Sequence, residues 1–205
     1  ELAFEKNALS KEKDFEKFLK DTEDMGYEGR FNIEDENIPT INIVKAKPMP
    51  EEFNVIHTGS ALVDDERVDL WWYRNTETGE IEDKSILDDD EKWVAEKVPQ
   101  DYQDKLTNKY GSTNWYDWAY DNWGTKWVTH ASLETVRENT NSFEDDIWVE
   151  FVVDSAWGPP VYLLQYIADK YNLAIGCRWW EEGGEAGWEH ILSLIHISEP
   201  TRQVL

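Results

Sequence analysis

The chain has 205 residues, with 44 Asp and Glu against 20 Lys and Arg, for a formal net charge of −24. Phosphate backbones and anionic membranes are bound by Lys and Arg displacing counterions, so the expected partners include no nucleic acid and no membrane surface. Twelve tryptophans and a 14% aromatic content bring too much bulky apolar mass for a disordered acidic tail, so the chain is expected to fold.

From the N-terminus, "ELAF" reads as the second half of a strand. Ser10 is placed as a helix N-cap, and Phe15, Phe18, Leu19 and Thr22 follow at i, i+3, i+4, i+7 spacing, which predicts a helix over residues 10–23 with one buried stripe. "TINIVKA" alternates Ile41 and Ile43 with Asn42 and Val44 and reads as a strand, stopped where Pro48 and Pro50 remove backbone donors.

Residues 54–110 read as an irregular acidic insertion. "RVDLWWYRNTETGEIEDK" predicts a hairpin turning around Thr78 and Gly79, and the segment from Ile86 to Gly111 predicts helical pieces interrupted by Pro99. The triplet Asp88, Asp89, Asp90 before Trp93 suits a helix N-terminus, where carboxylates meet the positive end of the dipole.

"NWYDWAYDNWGTKW" places, at about 100° per residue, Trp115, Trp118, Trp123, Tyr116 and Tyr120 on one broad helical arc, with Asp117 and Asp121 on the remainder. Gly124 stands where the helix stops, and the aromatic arc is expected to cover a sheet. Trp115 and Trp118 are expected to be core residues.

"IWVEFVVDS", residues 147–155, reads as a central strand. Pro159 and Pro160 open a helix with Leu164, Ile167, Ala168 and Tyr171 on one face. "LAIGCRWWEE" reads as a further strand, and a glycine-rich turn leads into a fourth that is cut short. Strand, helix, strand occurs twice, which predicts an α+β sandwich of the ferredoxin-like split βαβ kind: an antiparallel sheet with helices on one face. This domain is expected to span residues 1–191. Residues 192–205 contain "LSLIHISEPTR", whose back-translation permits a transposase-type sequencing-library adapter read in frame, so this tail is expected not to be native protein.

Cys177 is the single cysteine, which excludes an internal disulfide and a cysteine cluster and fits a reducing cytoplasm. His57, His130 and His190 form no HExxH pattern, Glu144, Asp145 and Asp146 lack calcium-loop spacing, and no nucleophile elbow, phosphate loop or dinucleotide fingerprint is present. No catalytic, cofactor or metal residue is therefore expected. Trp179, Trp180, Glu181 and Glu182 are the candidate ligand site, because tryptophan beside carboxylate is a common sugar-site texture; a strand end entering a solvated glycine turn has the same residues.

Four phrases in order, "KPMPEEF" (residues 47–53), "YGSTNWYDWAYDNWGTKW" (110–127), "DSAWGPP" (154–160) and "RWWEEGGEAG" (178–187), resemble the YubB-type ferredoxin-like domain family of bacterial plasmids, phages and integrated islands. The resemblance covers residues 1–191 and is strongest from Tyr110 to Gly187. It implies the fold, a mobile-element origin and an intracellular setting, and supplies no active-site residue. The matching positions Trp115, Trp118, Trp123, Gly124, Trp127, Trp157, Pro159 and Pro160 are expected to be mainly structural. The truncated final strand and the acidic stretch of residues 60–105 depart from the family pattern.

The expected function is that of a non-enzymatic accessory protein acting on an unknown protein partner. Two alternatives stay open: an acidic mimic of DNA that occupies a basic groove on a host nucleic-acid-binding protein, and a carbohydrate-active or carbohydrate-binding protein with a Trp and carboxylate cleft.

Overall fold

The computed structural model describes residues 2–5, 12–23, 40–82, 92–129, 131–139, 146–181 and 183–192. Two units divide the chain: Glu1–Pro48 with Asn122–Leu205, and Met49–Asp121. The first unit opens with β1 (Leu2–Glu5), α1 (Glu12–Thr22) and β2 (Thr40–Ile41). The second supplies β3 (His57–Val63), β4 (Glu66–Asn75), β5 (Ile81–Glu82), β6 (Trp93–Lys97) and α2 (Gln100–Tyr110). Helix α3 (Trp115–Trp123) leads back to the first unit, which ends with β7 (Ala131–Asn139), β8 (Asp146–Val152), α4 (Val161–Tyr171), β9 (Ala174–Trp180) and β10 (Ala186–Leu192). The fold is α+β.

In the first unit six strands lie in the order β10-β9-β1-β8-β7-β2, and each of these pairs is antiparallel. Pro160 is the N-cap of α4, where a missing N–H leaves no helical acceptor unmet, and Asn172 ends the helix in the left-handed region at φ 53°. Leu163, Leu164, Ile167, Ala168 and Tyr171 are its buried face. They pack α4 on β9 and β10, and α1 packs against α4. Phe18 of α1 is fully buried and meets the Tyr171 ring edge-on, with centroids 5.3 Å apart. The buried Thr22 hydroxyl donates to the Phe18 carbonyl at 2.8 Å, so its burial leaves no orphan donor.

The second unit is built on β4, which pairs with β3, β5 and β6, all antiparallel. Phe53, Val68, Trp72, Val98, Leu106 and Trp118 are among its buried residues. Glu52 accepts from Lys109 Nζ at 2.7 Å and from the Tyr110 hydroxyl at 2.8 Å, and these two donors hold its carboxyl down at about 2, from the usual 4.5. A carboxylate whose folded value is depressed adds stability above its unfolded value and loses it as pH falls through the folded one. Wild-type protein should therefore lose stability between about pH 4.5 and 2 more steeply than Glu52→Gln, measured by denaturant melts across that range. Parallel acid limbs would remove this role for Glu52.

Three sequence expectations are corrected. "TINIVKA" is strand only at Thr40–Ile41; the Asn42 side chain then accepts from the Val44 N–H at 3.2 Å and caps a 3-10 turn over Ile43–Ala46. That turn buries Ile43 and Ala46, which share a face at the three-residue period. Trp93–Lys97 is not helical: it pairs with Trp71–Asn75 of β4, a tertiary pairing that overrides the helix preference of Ala, Glu and Lys. The strand expected to reach Ser155 ends at Val152. The acidic triplet of residues 88–90 lies outside the described residues, and the Trp93 that follows it opens a strand.

Candidate binding cleft

The loop after α3 and the loop after β8 are joined by hydrogen bonds along their length. The Thr129 N–H donates to the Asp154 carbonyl at 2.8 Å, and the Asp154 N–H donates back to the Thr129 hydroxyl at 2.8 Å. The Ala156 N–H reaches the Trp127 carbonyl at 3.2 Å, and the buried Thr125 hydroxyl donates to the Ala156 carbonyl at 2.7 Å. "WGTKW" and "DSAWGPP", whose first residues are Trp123 and Asp154, are thus one structural piece. Gly124 starts it at φ 81°, a left-handed backbone that favours glycine, in contact with the start of α4 at Val161 and Tyr162.

This frame holds Trp157 in the left-handed region at φ 61°, an uncommon place for a bulky side chain. The Ser155 hydroxyl braces the turn by donating to the Gly158 carbonyl at 2.7 Å. The indole that results is 71% exposed, and Lys126 Nζ stands over it, 4.3 Å from the ring centroid. A strained, solvent-facing tryptophan gains little from burial, which makes the loop's cost intelligible as presentation of that ring.

The end of β9 also lines the cleft that these loops border. Trp180 is 60% exposed, Arg178 and Glu181 are exposed, and Cys177 is buried. Trp179 lies across its neighbour on β10: it pairs in register with Gly187, where a Cβ would come within 2.6 Å of its indole carbons. Glycine at 187 is what lets the ring lie flat on the sheet. Together these residues line a cleft of about 750 Å³ that also takes in Trp127, itself 44% exposed, and Pro159 and Pro160. That volume lies in the range of small-ligand sites. The charged side chains on its wall are Lys126, Asp154, Arg178 and Glu181.

The sequence candidates Trp179, Trp180 and Glu181 stand in this cleft, while Glu182 lies outside the described residues. Trp127 and Trp157, expected to be mainly structural, are partly or largely exposed and line the cleft, and their loops are held by threonine, serine and backbone bonds. Trp118 and Trp123 are buried, Trp115 is half-buried, and the Trp123 indole donates to the Lys47 carbonyl at 2.9 Å. Among the aromatics of α3, Trp118 has its ring 6.4 Å from that of Phe53, which sits on a 3-10 turn. Asp117 and Asp121 are separate from the tryptophans, but with Tyr116 and Tyr120 they line one shallow groove of about 620 Å³, so they do not face away from every aromatic. Lys126, Asp154 and Arg178 were not legible as site residues, because the first two meet through the loop pairing and the third reaches the cleft only from β9.

No family model, curated protein or solved structure matches the chain. Among the described residues, no helix is long and apolar enough to cross a membrane, and no three His, Cys, Asp or Glu are grouped to hold a metal ion.

Because a left-handed backbone costs a non-glycine residue about 1–2 kcal/mol, Trp157→Gly should leave thermal stability unchanged or slightly raised. A drop in melting temperature of the size seen for a core tryptophan would show that the indole supports the fold.

Proposed function

We propose that this chain is a YubB-type accessory protein of a mobile element that works in the bacterial cytoplasm by gripping a partner protein in the tryptophan cleft, with no chemistry of its own. The observation that carries the binding reading is the gathering of three solvent-facing tryptophans, Trp127, Trp157 and Trp180, around one concavity. Exposed tryptophan is disfavoured on a surface that touches only water, and tryptophan is enriched among the residues that dominate interface energies. The ferredoxin-like reading is supported by the inner order β9-β1-β8-β7, with α1 following β1 and α4 following β8.

The test compares wild-type chain with a Trp157→Ala, Trp180→Ala double variant, both immobilised after circular dichroism shows equal folding. A partner retained by the first and lost by the second supports the reading; a partner retained equally by both overturns it. A second reading has its own observation: Asp154 and Glu181 line the same cleft as the tryptophans, a combination suited to the hydroxyls and flat faces of a neutral saccharide.

A further inference from the structure

Resting on the cleft as a partner-binding site, we infer that it takes a basic segment of the partner, with an arginine or lysine side chain laid over the indole of Trp157. The structure holds an internal example of that contact: the Lys126 ammonium lies 4.3 Å from the Trp157 centroid, so this exposed ring already serves as a cation platform. Lys126 belongs to the cleft wall, and an incoming guanidinium, flatter and less strongly hydrated, is the better occupant of the same face.

Charge complementarity points the same way. The chain carries −24, a field that draws a basic segment toward any exposed surface and repels an acidic one. Within the cleft Asp154 and Glu181 supply carboxylates for the arriving charge, while Arg178 and Lys126 prevent the wall from being a simple acidic patch. Specificity then comes from the indoles, since carboxylates elsewhere on the surface attract a cation equally well. A neutral saccharide would use the same rings and ignore the field, so it is the competing outcome.

The probes are nona-arginine and nona-citrulline, which share length and hydrogen-bonding shape and differ in charge. Binding is read by tryptophan fluorescence and calorimetry on the full chain at about 150 mM salt, where fields from exposed charges fade over about 8 Å. Nona-arginine should bind and nona-citrulline should bind at least about tenfold more weakly; the Trp157→Ala, Trp180→Ala variant should lose about tenfold, the loss expected of desolvated cation–π contacts. Lys126→Ala should tighten nona-arginine binding, because it vacates the ring and removes a like charge. Equal binding by the tryptophan variant would reduce the effect to diffuse charge and overturn the inference, as would binding of maltohexaose with nona-arginine ignored. A partner protein retained through the tryptophans, yet insensitive to salt and not displaced by nona-arginine, would overturn the cationic class while leaving the cleft as the partner site.

Discussion

Trp118→Ala is expected to cost about 3–5 kcal/mol of unfolding free energy, the range for removing a large aromatic from a packed core. Trp118 is 5% exposed and packs beside Phe53, which is fully buried and in turn meets the Tyr110 ring edge-on at 5.5 Å. Removing the indole leaves a void bordered by Phe53, and that ring cannot move into it freely, because the 3-10 turn that carries Phe53 is pinned by the Phe53 N–H donating to the Pro50 carbonyl at 3.1 Å. Typical domains are stable by only about 5–15 kcal/mol, so the loss is a large share of the total and shows as a lowered urea midpoint. Trp115 is the control. It is half-buried, its ring contact is with Tyr116 at 5.7 Å, and Trp115→Ala should cost less than half as much in a urea melt. Equal costs at the two positions would mean that the burial difference within α3 does not set the energetics of this helix.

The elements that were legible are those whose signals are local. Helix α3 follows from the 100° arc and from Gly124, which stops it at φ 81°; the Asn114 cap, whose Oδ1 accepts from the Tyr116 and Asp117 N–H groups at 3.0 Å each, emerges only in the structure. The β4–β5 turn follows from Thr78 and from Gly79 at φ 77°; the structure adds Asn75, whose side chain accepts from the Glu77 and Thr78 N–H groups. The β3–β4 hairpin left no such mark. Its turn puts Asp64 and Asp65 at φ 50° and 64°, a conformation that glycine usually announces, and the strand before it carries Gly59 and a bulge between Thr58 and Ala61 that break any alternation. Strand β6 was obscured because its five residues acquire their conformation only by pairing with β4. The cleft shows the same division. "RWWEE" is readable as tryptophan beside carboxylate, whereas Trp157 reads as one more motif tryptophan until Thr125 and Thr129 are seen to hold its loop open. Exposure is a tertiary property, so a motif that marks a family does not say whether its rings face the core or the solvent.

Phe18→Ala should be comparably costly in the first unit, again about 3–5 kcal/mol. Phe18 is fully buried where α1 meets α4, between Phe15 at 6.5 Å and Tyr171 at 5.3 Å. Its backbone carbonyl also accepts the buried Thr22 hydroxyl, so relaxation of α1 into the void would strain a satisfied polar contact. Tyr171→Phe separates packing from polarity at the same junction. It keeps the ring against Phe18 and removes only the hydroxyl that donates to Asp21 at 3.1 Å, and Asp21 retains Lys17 at 2.8 Å, so the expected cost is about 1 kcal/mol. The pH dependence distinguishes the two. Burial first, and then the Asp21 carboxylate, push the Tyr171 hydroxyl above its usual 10.0. A group whose folded value is raised gives stability that is complete below its unfolded value and is lost as pH climbs through the folded one. Wild-type protein should therefore weaken above about pH 10, and Tyr171→Phe should remove the Tyr171 share of that alkaline loss, whereas Phe18→Ala, which keeps the phenol and its Asp21 partner but loosens its burial, should remove less of it. An alkaline limb unchanged in Tyr171→Phe would mean that this hydroxyl ionises as freely in the folded chain as in the unfolded one, contrary to its position between Phe18 and Asp21.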